Sequence, residues 1–186
     1  MYKSLLIAGA AAVAVLAFAS ASHASVLVVG QTLAGGCSKA AIAGFDDNDS
    51  LQVCERALRE EAMTIEDRAA TLVNRGVIKL RRKEYAPARA DFDGALALNP
   101  RLGDAMINRA AILIAESRFA EAVAEIDKGL ALQIETPEKA FFNRGIAHEG
   151  MRDLTAAYHD YAKAASLNPA WDAPKVELAR FTVRKR

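Results

Sequence analysis

The sequence predicts an all-α protein, an α-solenoid of antiparallel helix pairs with a C-terminal capping helix. Two observations carry this. A shift of 34 residues brings Asn74-Arg75-Gly76 onto Asn108-Arg109-Ala110, and a shift of 35 brings these onto Asn143-Arg144-Gly145; a period of this size marks stacked repeats. With residue 69 as position 1, small residues recur at position 8 (Gly76, Ala110, Gly145), position 20 (Ala88, Ala122, Ala157) and position 27 (Ala95, Gly129, Ala164). Bulky ones recur at position 4 (Leu72, Met106, Phe141), position 17 (Tyr85, Phe119, Leu154) and position 24 (Phe92, Ile126, Tyr161). Spacings of three and four put these residues on one helical face. A small residue on each of two helices lets the backbones approach, and the large ones fill the flanking gaps.

Taken from the N-terminus, residues 1–24 read as a signal peptide. Lys3 supplies the positive start, Leu5 to Ala19 is a 15-residue apolar or glycine run, and Ser22 and Ala24 are the small residues of a cleavage site before Ser25. The run is shorter than the ~20 apolar residues that span a bilayer, so membrane contact is expected only through this segment before cleavage. The chain carries 24 Lys+Arg and 23 Asp+Glu; loss of Lys3 makes the mature charge zero. That balance argues against a nucleic-acid partner, which calls for a basic excess. The expected location is periplasmic or secreted. A competing pattern, Leu33-Ala34-Gly35-Gly36-Cys37, looks like a lipoprotein box shifted by one glycine, yet Ser20, Ser22, His23 and Gln31 separate it from the apolar run.

Residues 25–64 read as a degenerate N-terminal helical hairpin. Aligning Ala57-Leu58 with positions 27 and 28 places Ser38 at position 8 and Ser50 at position 20, and sets Cys37 at position 7 opposite Cys54 at position 24. In an exported chain two such cysteines are read as one disulfide. Asp46-Asp47-Asn48-Asp49 lacks the glycine and glutamate of a calcium loop, so the expectation is a solvated turn with Asp49 capping the next helix, and no metal.

Three full units follow, 69–102, 103–136 and, after Pro137, 138–171; Asn99-Pro100 and Asn168-Pro169 stop the second helix of the first and third. Position 7 is arginine in every unit (Arg75, Arg109, Arg144) and position 23 is acidic in every unit (Asp91, Glu125, Asp160). These six residues are expected to form a structural ion-pair ladder within or between units. The recurring small and large positions over 69–171 resemble the tetratricopeptide repeat (TPR) family. The arginines depart from the family's leucine at position 7, and Lys79, Leu113 and His148 depart from its aromatic residue at position 11. Ile134 takes the place of the terminal proline in the second unit. Residues 172–186 are expected to form an amphipathic capping helix, with Asp172 at its N-cap and Val176, Ala179 and Val183 on one face.

The resemblance implies a concave groove lined by the first helix of each unit. It assigns Val73, Asn74, Val77 and Leu80, then Asp104, Ile107, Asn108, Ala111 and Ile114, then Lys139, Phe142, Asn143, Ile146 and Glu149 to that groove. Asparagine amides bond both ways to a peptide backbone and the apolar residues offer pockets, so the groove is expected to hold a segment of a partner protein. The competing reading is that Asn74, Asn108 and Asn143 only tie neighbouring helices together. Some family members clamp the carboxylate end of chaperone tails; here only Asn108 and Lys139 match that clamp, with Val73, Val77 and Asn143 at its other places.

Catalysis is not expected. His23 belongs to the signal segment, His148 and His159 stand alone, and no nucleophile elbow, phosphate loop or His-Glu-x-x-His motif is present. The sequence therefore points to an exported, non-enzymatic protein-interaction module without a cofactor. The alternative is a structural subunit or lipid-anchored adaptor of a bacterial cell-envelope assembly.

Overall fold

The computed structural model describes residues 32–132 and 134–181, and the signal segment 1–24 lies outside them. The described residues form an all-helical solenoid: α1 (Leu33–Ala43), α2 (Asn48–Glu60), α3 (Ile65–Arg81), α4 (Tyr85–Leu98), α5 (Gly103–Ala115), α6 (Phe119–Leu130), α7 (Pro137–Gly150), α8 (Leu154–Leu167) and α9 (Asp172–Leu178). Consecutive helices pair as α1–α2, α3–α4, α5–α6 and α7–α8. First helices also pack on one another, α1 on α3, α3 on α5 and α5 on α7, whereas second helices pack on first helices. The first helices therefore line the inner, concave side.

All four first helices end the same way. The residues at the turn, Gly44, Lys83, Ser117 and Arg152, have φ between 60° and 85°, and each turn closes with paired 6→1 and 5→2 backbone bonds. In the middle unit, Arg118 N–H donates to the Leu113 carbonyl at 2.8 Å and Ser117 N–H to that of Ile114 at 2.9 Å. This is the Schellman stop, which satisfies carbonyls the helix leaves open. It also corrects the register of the first hairpin. Gly44 occupies the place of Lys83 at position 15, so Cys37 sits at position 8, one place later than the sequence alignment gave.

The core lies between hairpins. One first-helix residue per unit, at position 10, is fully buried against the hairpin before it. Ile78 meets Cys37, Ala40, Ala41 and Cys54; Ile112 meets Ala88 and Phe92; Ala147 meets Ala122 and Ile126. Lys39, at the corresponding place in α1, is exposed.

Two expected caps differ. Asp47, not Asp49, caps α2, its carboxylate accepting Ser50 N–H at 2.7 Å and the Ser50 hydroxyl at 3.1 Å. At the other end Trp171 holds the N-cap place of α9, and Asp172 instead accepts from Lys175 at 3.0 Å. The capping helix is also shorter than the expected 172–186, ending after seven residues at Leu178. Turn bonds from Arg180 and Phe181 N–H to the Glu177 and Leu178 carbonyls end it. Phe181 then packs edge-on against Tyr158 and Tyr161. Val176, expected on the buried face, is exposed, and Val183 lies outside the described residues.

Candidate functional site

On the concave side the asparagines stand in register on α3, α5 and α7. Asn74, Asn108 and Asn143 are each half-buried, and none of their side-chain amides is hydrogen-bonded to a described residue. One helical turn on, Val77, Ala111 and Ile146 are also half-buried and give an apolar strip. Val73 and Val77 lean on the Ala88, Phe92 and Ile112 core, and Ile114 leans on the next core cluster. Lys139 is exposed.

Ile107 does not belong to the groove surface. It is 5% exposed and fills the space over Gly129, where a Cβ would lie 2.7 Å from its Cδ1. The second unit alone has glycine at position 27, so its position 5 side chain turns inward. Phe142 is partly covered, with its ring 4.8 Å from that of Trp171 and 5.5 Å from that of Tyr161.

Sequence reasoning missed both ends of the groove. At the N-terminal end an open cleft of about 560 Å³ is lined by Thr32, Ser38, Glu61, Asp67, Thr71 and Asn74 among others. Glu61 closes one wall by accepting the first two N–H groups of α1, from Leu33 at 2.5 Å and Ala34 at 2.9 Å; a carboxylate at a helix N-terminus is favoured by the helix dipole. At the C-terminal end Trp171, Lys139 and Asn168 border a shallower cleft of about 300 Å³. Trp171 is the sole tryptophan, and a lone residue leaves no repeat signal from which its place could be read.

The arginines sit at the joints. Arg75 grips buried Asp91 with two bonds of 2.9 and 2.5 Å, and Lys79 adds a third contact at 2.9 Å. Arg109 bonds Glu125 in its own unit and Asp93 of the preceding one at 2.6 Å. Arg144 repeats this, with Asp160 at 2.9 and 2.8 Å and Asp127 of the preceding unit at 2.6 Å. Burial opposes the charge of Arg109, but its bonds to Asp93 and Glu125 outweigh this and raise its pKa. For Arg144 the Asp160 bonds act first in the same direction, against burial. The backward reach of Arg109 and Arg144 ties each of their units to the one before it.

Cys37 and Cys54 form a disulfide, 17 residues apart in sequence and both fully buried. It ties α1, one wall of the N-terminal cleft, to α2, whose following residues Glu61, Ala62 and Met63 also line that cleft, and it leaves Cys37 no free sulfur for a lipid. His148 lies 3.8 Å from Asp160, its Nδ1 buried without a hydrogen bond, and His159 is exposed on α8. Among the described residues no three His, Cys, Asp or Glu side chains gather as metal ligands.

Solved structures share this architecture. The Arabidopsis OM64 TPR domain matches with a TM-score of 0.58 and 23% identity over 63% of this chain and 96% of that one. The first TPR of Spaghetti (RPAP3), bound to the HSP90 peptide SRMEEVD, matches with 0.58 and 23% over 62% and 93%. MamA from Desulfovibrio magneticus RS-1 matches with 0.59 and 20% over 81% and 83%. At these identities the likeness is one of fold, and the fold is TPR-like. No protein-family model matches the chain, and no curated protein matches it in sequence.

Proposed function

We propose that the chain is an exported, non-enzymatic module that captures a segment of a partner protein in its concave groove. One observation carries the reading: three asparagine amides, one per unit, face the same side and use none of their hydrogen-bonding capacity within the described residues. Helix-tying asparagines would be bonded to their neighbours. A repeated amide beside an apolar strip suits a ligand read mainly through its backbone. A like-folded domain, that of Spaghetti, holds a peptide. That peptide is acidic, whereas this groove has Val73, Val77 and Asn143 at three of the clamp places, so a different segment is the expected ligand here. The disulfide supports an oxidising compartment, in keeping with residues 1–24 as a signal peptide.

The test is capture from a cell-envelope extract by the native chain and by the N74A/N108A/N143A variant. Loss of capture with an unchanged melting temperature supports the groove; full capture by the variant defeats it. A second reading, a structural subunit of an envelope assembly, is favoured by the open cleft of about 620 Å³ bordered by Leu154, Tyr158 and Phe181. Leu154 is 55% exposed there. On that reading L154S, not the asparagine variant, abolishes capture.

A further inference from the structure

We infer that the groove takes an uncharged, proline-rich segment in the polyproline II conformation; this rests on the groove reading above and specifies its ligand. Asn74, Asn108 and Asn143 occupy one repeat position on α3, α5 and α7, so the same donor and acceptor are offered once per helix. Packed neighbouring helices lie about 8–10 Å apart. A ligand read identically at each step must present the same free backbone group at that interval.

Three backbone conformations compete. A β-strand rises about 3.3 Å per residue, so three residues cover the interval, but its residues alternate in facing and every third one points the opposite way. An α-helix repeats in about 5.4 Å and uses its N–H and C=O groups internally. Polyproline II repeats every three residues at about 3.1 Å each, close to 9.3 Å per turn, with no internal hydrogen bonds. It presents equivalent, unbonded carbonyls to all three asparagines in phase. Proline has no N–H, and the amide NH₂ of asparagine supplies the donor that such a backbone lacks.

The rest of the groove agrees in chemistry. Val77, Ala111 and Ile146 form an apolar strip at the same interval, suited to pyrrolidine rings, and Phe142 and Trp171 add aromatic surface at one end. Asp104 and Lys139 offset one another, and Glu149 is held by Arg180 at 2.6 Å. Along the strip itself these formal charges cancel, and Glu61 and Asp67 add acid only at its N-terminal end.

The experiment titrates the full chain with two uncharged twelve-residue peptides, one repeating Pro-Pro-Ala and one alternating valine and threonine. Calorimetry gives the affinity, and Trp171, beside Phe142, gives an independent fluorescence signal. The proline peptide is expected to bind at least about tenfold more tightly, and N74A, N108A and N143A, each with unchanged melting, to weaken it by a similar factor of roughly five. Equal or tighter binding of the valine-threonine peptide, with the asparagine dependence kept, overturns the polyproline assignment and leaves the groove reading standing. Proline-peptide binding that survives all three substitutions overturns both. Failure of both peptides to bind overturns the polyproline assignment.

Discussion

Gly76 lies so close to the ring of Phe92 that a Cβ on it would stand 2.5 Å from Phe92 Cε1. Gly145 and Tyr161 repeat the relationship at 2.7 Å, whereas the middle unit pairs Ala110 with the narrower Ile126. In the first hairpin the same two places hold Cys37 and Cys54, so a disulfide stands where the others have a small residue under a large one. Gly76→Ala is therefore expected to overpack the joint and cost about 1–3 kcal/mol. The double variant G76A/F92I, which copies the middle unit, should recover much of that loss. Urea unfolding of the two single variants and the double one measures the coupling, and strict additivity would rule out the proposed compensation.

This pairing explains why the fold was legible. Positions 8 and 24 meet in every unit, so their sizes recur and a simple self-alignment finds them. Position 10 was missed because the isoleucine of the first two units, Ile78 and Ile112, gives way to Ala147 in the third, so neither a small nor a bulky residue recurs there in all three. The position 25 acids, Asp93 and Asp127, were missed for a related reason: the third unit has Ala162 there, with no further arginine-bearing unit among the described residues to receive. The inward turn of Ile107 depends on the absent side chain of Gly129, a tertiary condition that repeat position alone does not encode. The asparagines could be placed on the groove from their spacing, but only the structure tells whether their amides are already bonded.

Asp91 and Asp160 occupy the same repeat position but keep different reserves. Removing Arg75 leaves Asp91 with Lys79 at 2.9 Å, while removing Arg144 leaves Asp160 with His148 at 3.8 Å. A buried carboxylate without a partner costs about 3–5 kcal/mol when its ion pair is broken. Arg144→Leu is expected to approach that range and R75L to fall well short of it. Adding His148→Lys to R144L, which copies Lys79, should recover part of the loss. Thermal unfolding of the three variants decides this, and equal losses for R75L and R144L would sink it.

The disulfide should act locally. By the chain-entropy estimate a loop of this size contributes about 3 kcal/mol, and in a stacked array each unit feels mainly its neighbours. In C37S/C54S, hydrogen exchange is expected to rise in α1 and α2, and at Ile78, whose side chain packs on both cysteines. Exchange in α7 and α8 should stay unchanged. A uniform rise across all helices would show that the array unfolds as one block.

Alkaline pH should weaken the third unit through Tyr161. Burial first, and then the hydrogen bond its hydroxyl donates to Glu149 at 3.0 Å, raise this phenol above its ordinary value of 10. The folded state therefore keeps the proton over a range of pH in which the unfolded chain has released it. Because the unfolded state binds fewer protons there, stability falls as pH rises. Tyr161's contribution is complete below about pH 10 and declines as pH climbs above it toward the folded value. Tyr161→Phe removes the titrating group and the bond to Glu149 together. Its melting temperature is expected to lie below that of the native chain at pH 8 and to lose less between pH 9.5 and 11. Every other group is common to both proteins, so the difference between their two pH profiles isolates the phenol. Parallel profiles would show that Tyr161 carries no pH-linked stability.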